Sequence, residues 1–381
     1  MKFLILNTDY SEFLSWLYTQ YAGLENRSYE EQLAVRTGSL FGDGGFYASN
    51  LRKLGHEAED IYLNNEKMQK SWAREHGIKI TQKSHWHISF RRGIVPWISW
   101  TGDQHYLNDI LKAQVQYHQP DIILNQAINM VGSDVLKEIK SSVRLLVGQI
   151  ASPLLKGETL AVYDLVITSS PNLFNYFSHI GLNTEFVRLG FQPDVLKAMA
   201  ARNPDIPVSF VGSFFPDHKT RAEFLEYLCQ HSDLNVWGNG INHLPKHSAI
   251  RNRHKGHAWG TRMYEILRRS KVTINHHTDI AGAYASNMRL YEATGVGTML
   301  LTDWKENLKD LFEPEREVVA YRSPEECKDL ISYYLTHDDE REAIALAGQQ
   351  RTLSEHTYYC RMKDVAEVVS KHLRAGGINH D

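Results

Sequence analysis

The sequence predicts an α/β fold made of two halves, each a parallel sheet with helices on both faces. Apolar runs of about four to eight residues, rich in Val, Ile and Leu, are typical of strands buried on both faces. Amphipathic helical stretches alternate with these runs, as they do in doubly wound sheets. A polar stretch with two prolines, at about 195–207, interrupts the alternation, which then restarts. The chain therefore divides into two halves of similar length.

The first half alternates between short apolar strands and capped helices. Strands are predicted at KFLILN (2–7), DIILNQ (121–126), VRLLVGQIA (143–151), YDLVITSS (163–170) and TEFVRLGF (184–191). A helix in FYASNLRKLGHE should end at Gly55, and a helix in SDVLKEIKSS should be capped by Ser133. In SPNLFNYFSHIG, Ser170 is the expected cap, Pro171 suits the first turn and Gly181 ends the helix.

The second half repeats the pattern. Strands are predicted at VSFVGS (208–213), LNVWGN (234–239), VTINHH (272–277), TMLLTD (298–303) and EVVAYRS (317–323). The intervening helices are HKTRAEFLEYLCQHS, TRMYEILRRS, NMRLYEATG and SPEECKDLISYYL, the last with Ser323 as cap and Pro324 at its first position. From about residue 338 the chain is predicted to be helical to its end, with alternating charges on an exposed face.

These patterns predict an N-terminal domain over 1–195 and a C-terminal domain over 207–370, with helices in 338–381. Residues of about 8–40 and 65–118 fit neither the strand nor the helix pattern. The second of these stretches contains SHWHISFRRGIVPWISW, which is dense in Trp, His and Arg. We interpret both stretches as insertions around the mouth of the first domain.

Composition excludes several classes of protein. The 381 residues suit two cores, and 42% hydrophobic and 23% charged residues are normal for a globular protein. A net charge of −3 gives no field that would favour nucleic acid or an anionic membrane. No run reaches the roughly 18 apolar residues of a membrane span. The first residues read as a strand and the three cysteines lie far apart, so we predict a cytoplasmic, bacterial-type protein.

The segment NMRLYEATGVGTMLLTD (287–303) carries the main functional signal. Ligands bind beyond the carboxyl ends of parallel strands, and this helix follows such an end. It should start near Ser286 or Asn287, where free N–H groups suit a phosphate. Arg289 in its first turn would bind a diphosphate, and Glu292 on the same face would accept from two ribose hydroxyls. The alternative is a surface Arg–Glu pair worth about 0.5 kcal/mol.

Three neighbouring strand ends carry further candidates. Gly212, followed by Lys219 and Arg221, suits a diphosphate; the alternative is that these cations are solvated at a helix start. Gly238 would let a flat base approach the backbone, or is an ordinary turn residue. His276 and His277 close a strand. We expect one of them to hydrogen-bond a donor sugar or phosphate, with His277 the catalytic candidate, while the other packs inward.

Asp9 ends the first strand. A carboxylate there would act as general base for an acceptor hydroxyl, or would cap the following helix. The sequence FGDGGFYASN has Gly44 and Gly45 opening a helix but lacks the full glycine pattern of a dinucleotide site. Residues 251–271 are basic with few aromatics, so a nucleic-acid surface is an alternative that we do not favour. No histidine or carboxylate spacing supports a metal site.

Together these features resemble the GT-B glycosyltransferases, whose two Rossmann-like domains face a central cleft. The segments that carry the resemblance are GGFYASNLRKLGHE, NMRLYEATGVGTMLLTD, LFEPEREVVAYRSPEE and REAIALAGQQRTLSEHTY. Within the family-1/4-type glycosyltransferases they look most like the CgeB-like (spore maturation protein) group. The resemblance is strong over about 208–370 and looser over the first half.

The resemblance implies an enzyme that transfers a hexosyl or related group. The C-terminal domain would bind a nucleoside-diphosphate sugar, and the N-terminal domain an acceptor of unknown kind, whether glycan, protein or small molecule. Neither a cofactor nor a metal ion is expected, and the last helices, within 338–381, would return towards the first domain. The alternatives are a nucleotide-sugar epimerase or hydrolase on the same fold, and a non-catalytic nucleotide-binding protein.

The resemblance also implies roles for individual residues. Glu292 occupies the position of the family's ribose-binding glutamate, and Asn287, Met288 and Arg289 occupy its diphosphate-binding helix start. Gly212, Lys219 and Arg221 resemble its other phosphate loop. Tyr284 stands where retaining relatives often carry the first glutamate of an E-x7-E pattern, so the retaining mechanism is not implied.

Overall fold

A computed structural model of the protein describes residues 1–80, 84–91, 95–102, 105–152, 160–215 and 218–376, with only the backbone for 84–91, 95–102, 105 and 375–376. Strands and helices alternate along most of the chain, as predicted. The strands are β1 (Lys2–Asn7), β2 (Glu57–Tyr62), β3 (Ser84–Arg91), β4 (Val95–Gly102), β5 (Ile122–Asn125), β6 (Leu145–Gln149), β7 (Leu165–Thr168), β8 (Thr184–Phe186), β9 (Ile206–Val211), β10 (Leu234–Trp237), β11 (Ser270–Asn275), β12 (Met299–Asp303) and β13 (Val319–Tyr321).

The α-helices lie between these strands and at the end of the chain. They are α1 (Ser11–Gln20), α2 (Tyr29–Gly38), α3 (Phe46–Lys53), α4 (Glu66–Glu75), α5 (His105–His118), α6 (Ser133–Lys140), α7 (Pro171–His179), α8 (Asp194–Lys197), α9 (Lys219–His231), α10 (Ala249–Arg253), α11 (Thr261–Arg269), α12 (Arg289–Gly295), α13 (Pro324–Thr336), α14 (Asp338–Glu355) and α15 (Tyr358–Gly376). Within the described residues, no helix has the length and apolar character needed to span a membrane.

Two sheets organise the chain. One has the strand order β2-β1-β5-β6-β7-β8, and the other has the order β10-β9-β11-β12-β13. Neighbouring strands of the second sheet are parallel throughout, and so are the pairs β1–β2, β1–β5 and β5–β6 of the first. Strands β3 and β4 form a separate antiparallel hairpin. In each sheet, non-consecutive neighbours show the crossovers of a doubly wound fold.

Contacts divide the chain into two compact units, and the division does not follow chain order. The first unit holds the described residues of 1–38, 55–149 and 154–166, and the second those of 39–54, 150–153 and 167–381. The roles predicted for the domains 1–195 and 207–370, and for the helices of 338–381, stay predictions.

The first unit is built around β1, whose residues Phe3–Leu6 are at most 1% exposed. A second cluster of aromatic and apolar side chains, including Tyr62, Met68 and Trp72, lies among helices α2, α4 and α5. These helices lie in the stretches 8–40 and 65–118, for which neither a strand nor a helix pattern is predicted. Each helix has only a short apolar face, and the polar residues around it hide the helical periodicity in the sequence.

The second unit has its core on the faces of β9, β11 and β12. Val208, Ile274 and Leu301 are fully buried there, and helices α9 and α13 cover them. Residues 39–54 belong to this unit. Helix α3 packs on α15, the Tyr358 hydroxyl donates to Asp43 (2.7 Å), and Asn50 donates to Gln192 (2.8 Å).

Most predicted elements are confirmed, and the exceptions have local causes. The sequence does not predict strand β2, because β2 is an edge strand whose exposed acidic residues interrupt the apolar run. The strand predicted for TEFVRLGF stops at Phe186, because Phe191 instead pairs with Thr357. The caps Ser170 and Ser323 are confirmed, since both accept from the expected backbone N–H. Ser133 is the first helical residue rather than the cap.

Two loops of the second sheet approach each other closely at Gly238, just after β10. Its φ is +143°, and a Cβ built on it would lie 1.7 Å from the carbonyl oxygen of Gly212. The Gly238 backbone N–H donates to Gly256 (3.0 Å), and that of Gly212 donates to Trp237 (3.0 Å). Any side chain at 238 would therefore push two strand ends apart.

We expect Gly238→Ala to lower the free energy of unfolding by about 3 kcal/mol or more, since it adds a backbone clash to an unfavourable φ. The matched control is Gly256→Ala, which has a positive φ of +107° but no atom within 4 Å of the added Cβ. Urea denaturation of both variants measures the difference. Equal losses for the two would contradict the close approach.

Candidate functional site

The carboxyl ends of β11 and β12 form a polar cluster. Asn275, the last residue of β11, donates from Nδ2 to Thr302 (2.9 Å) and accepts from Nδ2 of Asn287 (2.7 Å). His277 donates from Nδ1 to Oδ1 of Asp303 (2.7 Å), the last residue of β12. The cluster lies where open parallel sheets bind ligands.

Helix α12 leads away from this cluster. It begins at Arg289 and its N-cap is Met288, with no side-chain cap. Neither Ser286 nor Asn287, near which the sequence predicts the helix to start, is its N-cap, because the Asn287 side chain is held by Asn275 instead. The Oδ1 atom of Asn287 is buried without a hydrogen-bond partner among the described residues. It can accept a hydrogen bond from a group outside the chain.

Arg289 and Glu292 form an ion pair inside the second unit. Nη1 of Arg289 lies 2.9 Å from Oε2 of Glu292, and the two side chains are 13% and 6% exposed. The alternative of a surface pair is therefore wrong. Burial raises the pKa of Glu292, while the charge of Arg289 opposes that rise and Asp43 adds to it.

The pair is incompletely satisfied by the protein. Among the described residues, Nε of Arg289 has no hydrogen-bond acceptor, Nη1 lies at ion-pair distance from Glu292 without forming a hydrogen bond, and Nη2 contacts only the sulfur of Met263 (3.4 Å). A buried donor without an acceptor costs about 1–3 kcal/mol. These donors lie next to a carboxylate whose one ion-pair partner in the described part of the chain is the arginine, and they suit an anionic ligand that also carries hydroxyls.

Asp43 acts on the Arg289–Glu292 pair, although no spacing in the sequence indicates such a role. Its carboxylate accepts from the Tyr358 hydroxyl, and its charge acts on Glu292 and on the buried Tyr264. Burial raises the pKa of Tyr264 well above its usual value. The sequence signal for this residue is the segment FGDGG, in which an acidic residue stands between the glycines that open helix α3.

The two histidines after β11 have different surroundings. His276 stacks on Phe224 at 4.3 Å between ring centroids, and its Nδ1 lies 3.0 Å from the Tyr321 hydroxyl. Burial lowers the pKa of His276 to about 4. His276 is thus a packing residue here, and His277 is the one that lies in the polar cluster.

The loop after β9 holds the three other phosphate candidates. Gly212 lies at the strand end. Lys219 begins α9 with its side chain 80% exposed, 3.8 Å from Glu223. Arg221 is 9% exposed, donates to the Ser213 carbonyl and contacts His218. Arg221 therefore stabilises the loop after β9 through its hydrogen bond to Ser213, whereas the Lys219 side chain extends into solvent. The site roles of all three stay predictions, as does that of Gly238.

Asp9 lies in the first unit and is engaged by the protein. Its carboxylate forms a bidentate ion pair with Arg36, with both side chains at most 3% exposed. Asp9 does not cap α1, whose N-cap is Tyr10. Within the described residues, no three His, Cys, Asp or Glu side chains are grouped as metal ligands.

The second half of the chain matches a known family model. Residues 193–367 match the sequence model of a family described as glycosyl transferase-like, Glyco_trans_1_2. All the candidates named above except Asp9 and Asp43 fall within the matched region. Comparison with curated protein sequences gives no match.

Solved structures resemble the whole chain. HepE of Anabaena, in complex with UDP-glucose, has a TM-score of 0.59 at 13% identity, covering 97% of this chain and 100% of that one. A Rickettsia africae glycosyltransferase has 0.57 at 11% identity, covering 98% and 99%. Sucrose-phosphate synthase from Thermosynechococcus elongatus has 0.56 at 10% identity, covering 98% and 100%.

The chain has the GT-B fold. The predicted fold class, two Rossmann-like parallel-sheet domains, is thereby confirmed. The residues that match the glycosyl transferase-like model lie in the second half of the chain, and the buried Arg289–Glu292 pair lies among them.

The surroundings of His276 predict a pH dependence of stability. Its folded pKa, about 4, lies below the unfolded value of about 6.5, so its contribution is present above pH 6.5 and is lost as the pH falls towards 4. We expect His276→Gln to remove about 1–2 kcal/mol of the stability difference between pH 7 and pH 5. Urea denaturation at both pH values measures it, with His247→Gln, at an exposed histidine, as control. An unchanged difference in His276→Gln would contradict the burial of the neutral ring.

Proposed function

We propose that the protein is a glycosyltransferase that transfers a sugar from a nucleoside-diphosphate sugar to an acceptor without a metal ion. Its nearest functional group would be the CgeB-like enzymes, acting in a bacterial cytoplasm. The observation that carries the proposal is the buried Arg289–Glu292 pair, which lies in the region that matches the glycosyl transferase-like model. In the described part of the chain, the pair leaves Nε of Arg289 without an acceptor and the Glu292 carboxylate with no ion-pair partner but the arginine.

Each member of the pair suits one part of a nucleotide. Glu292 is 4% exposed and, within the described residues, its carboxylate contacts Arg289 alone. A buried carboxylate of this kind accepts from two adjacent hydroxyls, as ribose presents them. The Nε atom of Arg289, which has no hydrogen-bond acceptor among the described residues, suits a phosphate oxygen. HepE, which shares the fold, was crystallised with UDP-glucose, and this supports a uridine nucleotide as the first ligand to test.

The leaving group of the reaction would be a nucleoside diphosphate. Its negative charge grows as the bond to the sugar breaks, so fixed cations lower the barrier. Arg289 and the exposed Lys219 would supply these charges. The acceptor would bind to the first unit, where Asp9, the proposed general base, is paired with Arg36.

A ligand panel tests the nucleotide site. UDP at 100 times its dissociation constant should add about 2.7 kcal/mol of stability in a thermal-shift assay that also includes ADP, GDP, CDP and TDP. We expect Glu292→Gln to weaken binding of the preferred diphosphate at least tenfold, about 1.4 kcal/mol, because a neutral amide accepts only one strong hydrogen bond in its place. Calorimetric titration measures the affinity.

The matched control is Glu313→Gln. Glu313 pairs with Arg316 at the same distance, 2.9 Å, and also three residues apart, but both side chains are more than half exposed. This variant should bind the nucleotide like the wild type. Binding of no diphosphate by the wild type, or equal affinities for both variants, would contradict the proposed site.

Metal independence predicts a second result. The dissociation constant for UDP should change less than about twofold between 5 mM EDTA and 5 mM MgCl2, since Arg289 and Lys219 would neutralise the diphosphate directly. Isothermal titration in the two buffers measures this. A loss of more than about tenfold in EDTA would show that a divalent ion takes part.

A further inference from the structure

His277 has a fixed orientation that the proposed function does not by itself require. Its side chain is 1% exposed, and Nδ1 lies 2.7 Å from Oδ1 of Asp303. The backbone N–H of His277 donates to the same oxygen (3.1 Å). The imidazole therefore cannot turn without breaking its hydrogen bond to Asp303, and the backbone of the same residue keeps that carboxylate in place.

The carboxylate is fixed in turn. Nζ of Lys305 lies 3.3 Å from Oδ2 of Asp303 and donates to the carbonyl of Gly282 (2.7 Å). Burial alone would raise the pKa of Asp303, but the hydrogen bond from His277 and the charge of Lys305 hold it well below its usual range. An ionised carboxylate only accepts hydrogen bonds, so Nδ1 of His277 carries a hydrogen atom.

This arrangement determines what Nε2 can do. Lys305 already balances the charge of Asp303, so the pair does not need a second positive charge from the buried imidazole. In the neutral ring with hydrogen on Nδ1, Nε2 is a hydrogen-bond acceptor. Within the described part of the chain, Nε2 is buried and has no hydrogen-bond partner. The missing partner must be a donor group, either of a ligand or of a water molecule.

The position of His277 favours a ligand. It follows β11 at its carboxyl end, and Asn275, two residues earlier, binds Asn287 at the entrance to α12. Arg289 and Glu292 of α12 are the proposed diphosphate and ribose contacts. Phosphates and an ionised carboxylate carry no hydrogen to donate at neutral pH, whereas sugar hydroxyls do.

We propose that Nε2 of His277 accepts a hydrogen bond from a hydroxyl of the transferred sugar, with Asp303 and Lys305 as the residues that position it. The proposal rests on the proposed function, since it places the sugar beside a bound diphosphate. It makes His277 a determinant of which sugar is accepted. Asp303 is a positioning residue, because it acts only through the imidazole.

Two substitutions at 277 separate the two nitrogen atoms. His277→Asn keeps an amide near Nδ1, which can still donate to Asp303, and removes the Nε2 acceptor. His277→Gln places an amide oxygen near Nε2 and loses the bond to Asp303. A residue that serves only to anchor Asp303 should therefore tolerate Asn better than Gln, and a sugar-binding residue should tolerate Gln better than Asn.

The experiment compares affinities for UDP and for UDP-glucose, UDP-galactose and UDP-N-acetylglucosamine in the intact protein, by calorimetric titration. For each protein, the ratio of the dissociation constant of the sugar nucleotide to that of UDP isolates the sugar. We expect His277→Asn to raise this ratio at least fivefold for the sugar nucleotide that the wild type binds best. His277→Gln should raise it less than twofold, and UDP itself should bind equally to all three proteins.

Other results overturn the assignment in distinguishable ways. Equal ratios for wild type and both variants would mean that a water molecule is the partner of Nε2. A larger effect of Gln than of Asn would show a structural anchor alone. Loss of UDP binding in both variants, with intact binding in the wild type, would place His277 at the diphosphate. Failure of the wild type to bind any of these nucleotides would reject the proposed function itself.

Discussion

The Arg289–Glu292 ion pair is the constraint on which the second unit's polar interior depends. Removing two charges from water costs several kcal/mol per ion, and one contact at 2.9 Å recovers only part of that cost. The remaining donors of Arg289 and the raised pKa of Glu292 show that the protein leaves the cost partly uncompensated. Burying charge in this way is unfavourable for folding alone. It is favourable in a protein whose ligand completes the hydrogen bonds, because the site is then organised before the ligand arrives.

The fold and one helix of the site could be predicted from the sequence, because both depend on local patterns. Short apolar runs and caps such as Ser170 and Ser323 are read within a few residues. The Arg289–Glu292 spacing is local too. Burial of the pair was not predictable, since it depends on side chains from distant segments. Asp43 illustrates this, because its influence on Glu292 arises only once residues 39–54 join the second unit.

His276 and His277 show in the same way that contacts from distant segments cannot be predicted from the sequence. Adjacent strand-end residues face opposite sides, so the sequence predicts that only one of His276 and His277 points into the polar cluster. Which one does so is decided by Phe224 and Tyr321, which enclose His276, and by Asp303, which binds His277. Low identity to structures of the same fold, 10–13%, means that such side-chain partners have to be read from this chain itself.

The hydrogen bond between Asp43 and Tyr358 joins residues 315 positions apart. A ribosome adding about 5–20 residues per second needs roughly 15–60 s between making the first and the second of these residues. During that interval helix α3 is complete but lacks α15, on which it packs. The rings of Phe46 and Tyr47, which lie against Tyr358 of α15, remain open to other hydrophobic surfaces until α15 emerges. Synthesis of α15 therefore covers the apolar face of α3, which was made about 300 residues earlier. A chain that stalls before α15 would leave this face exposed.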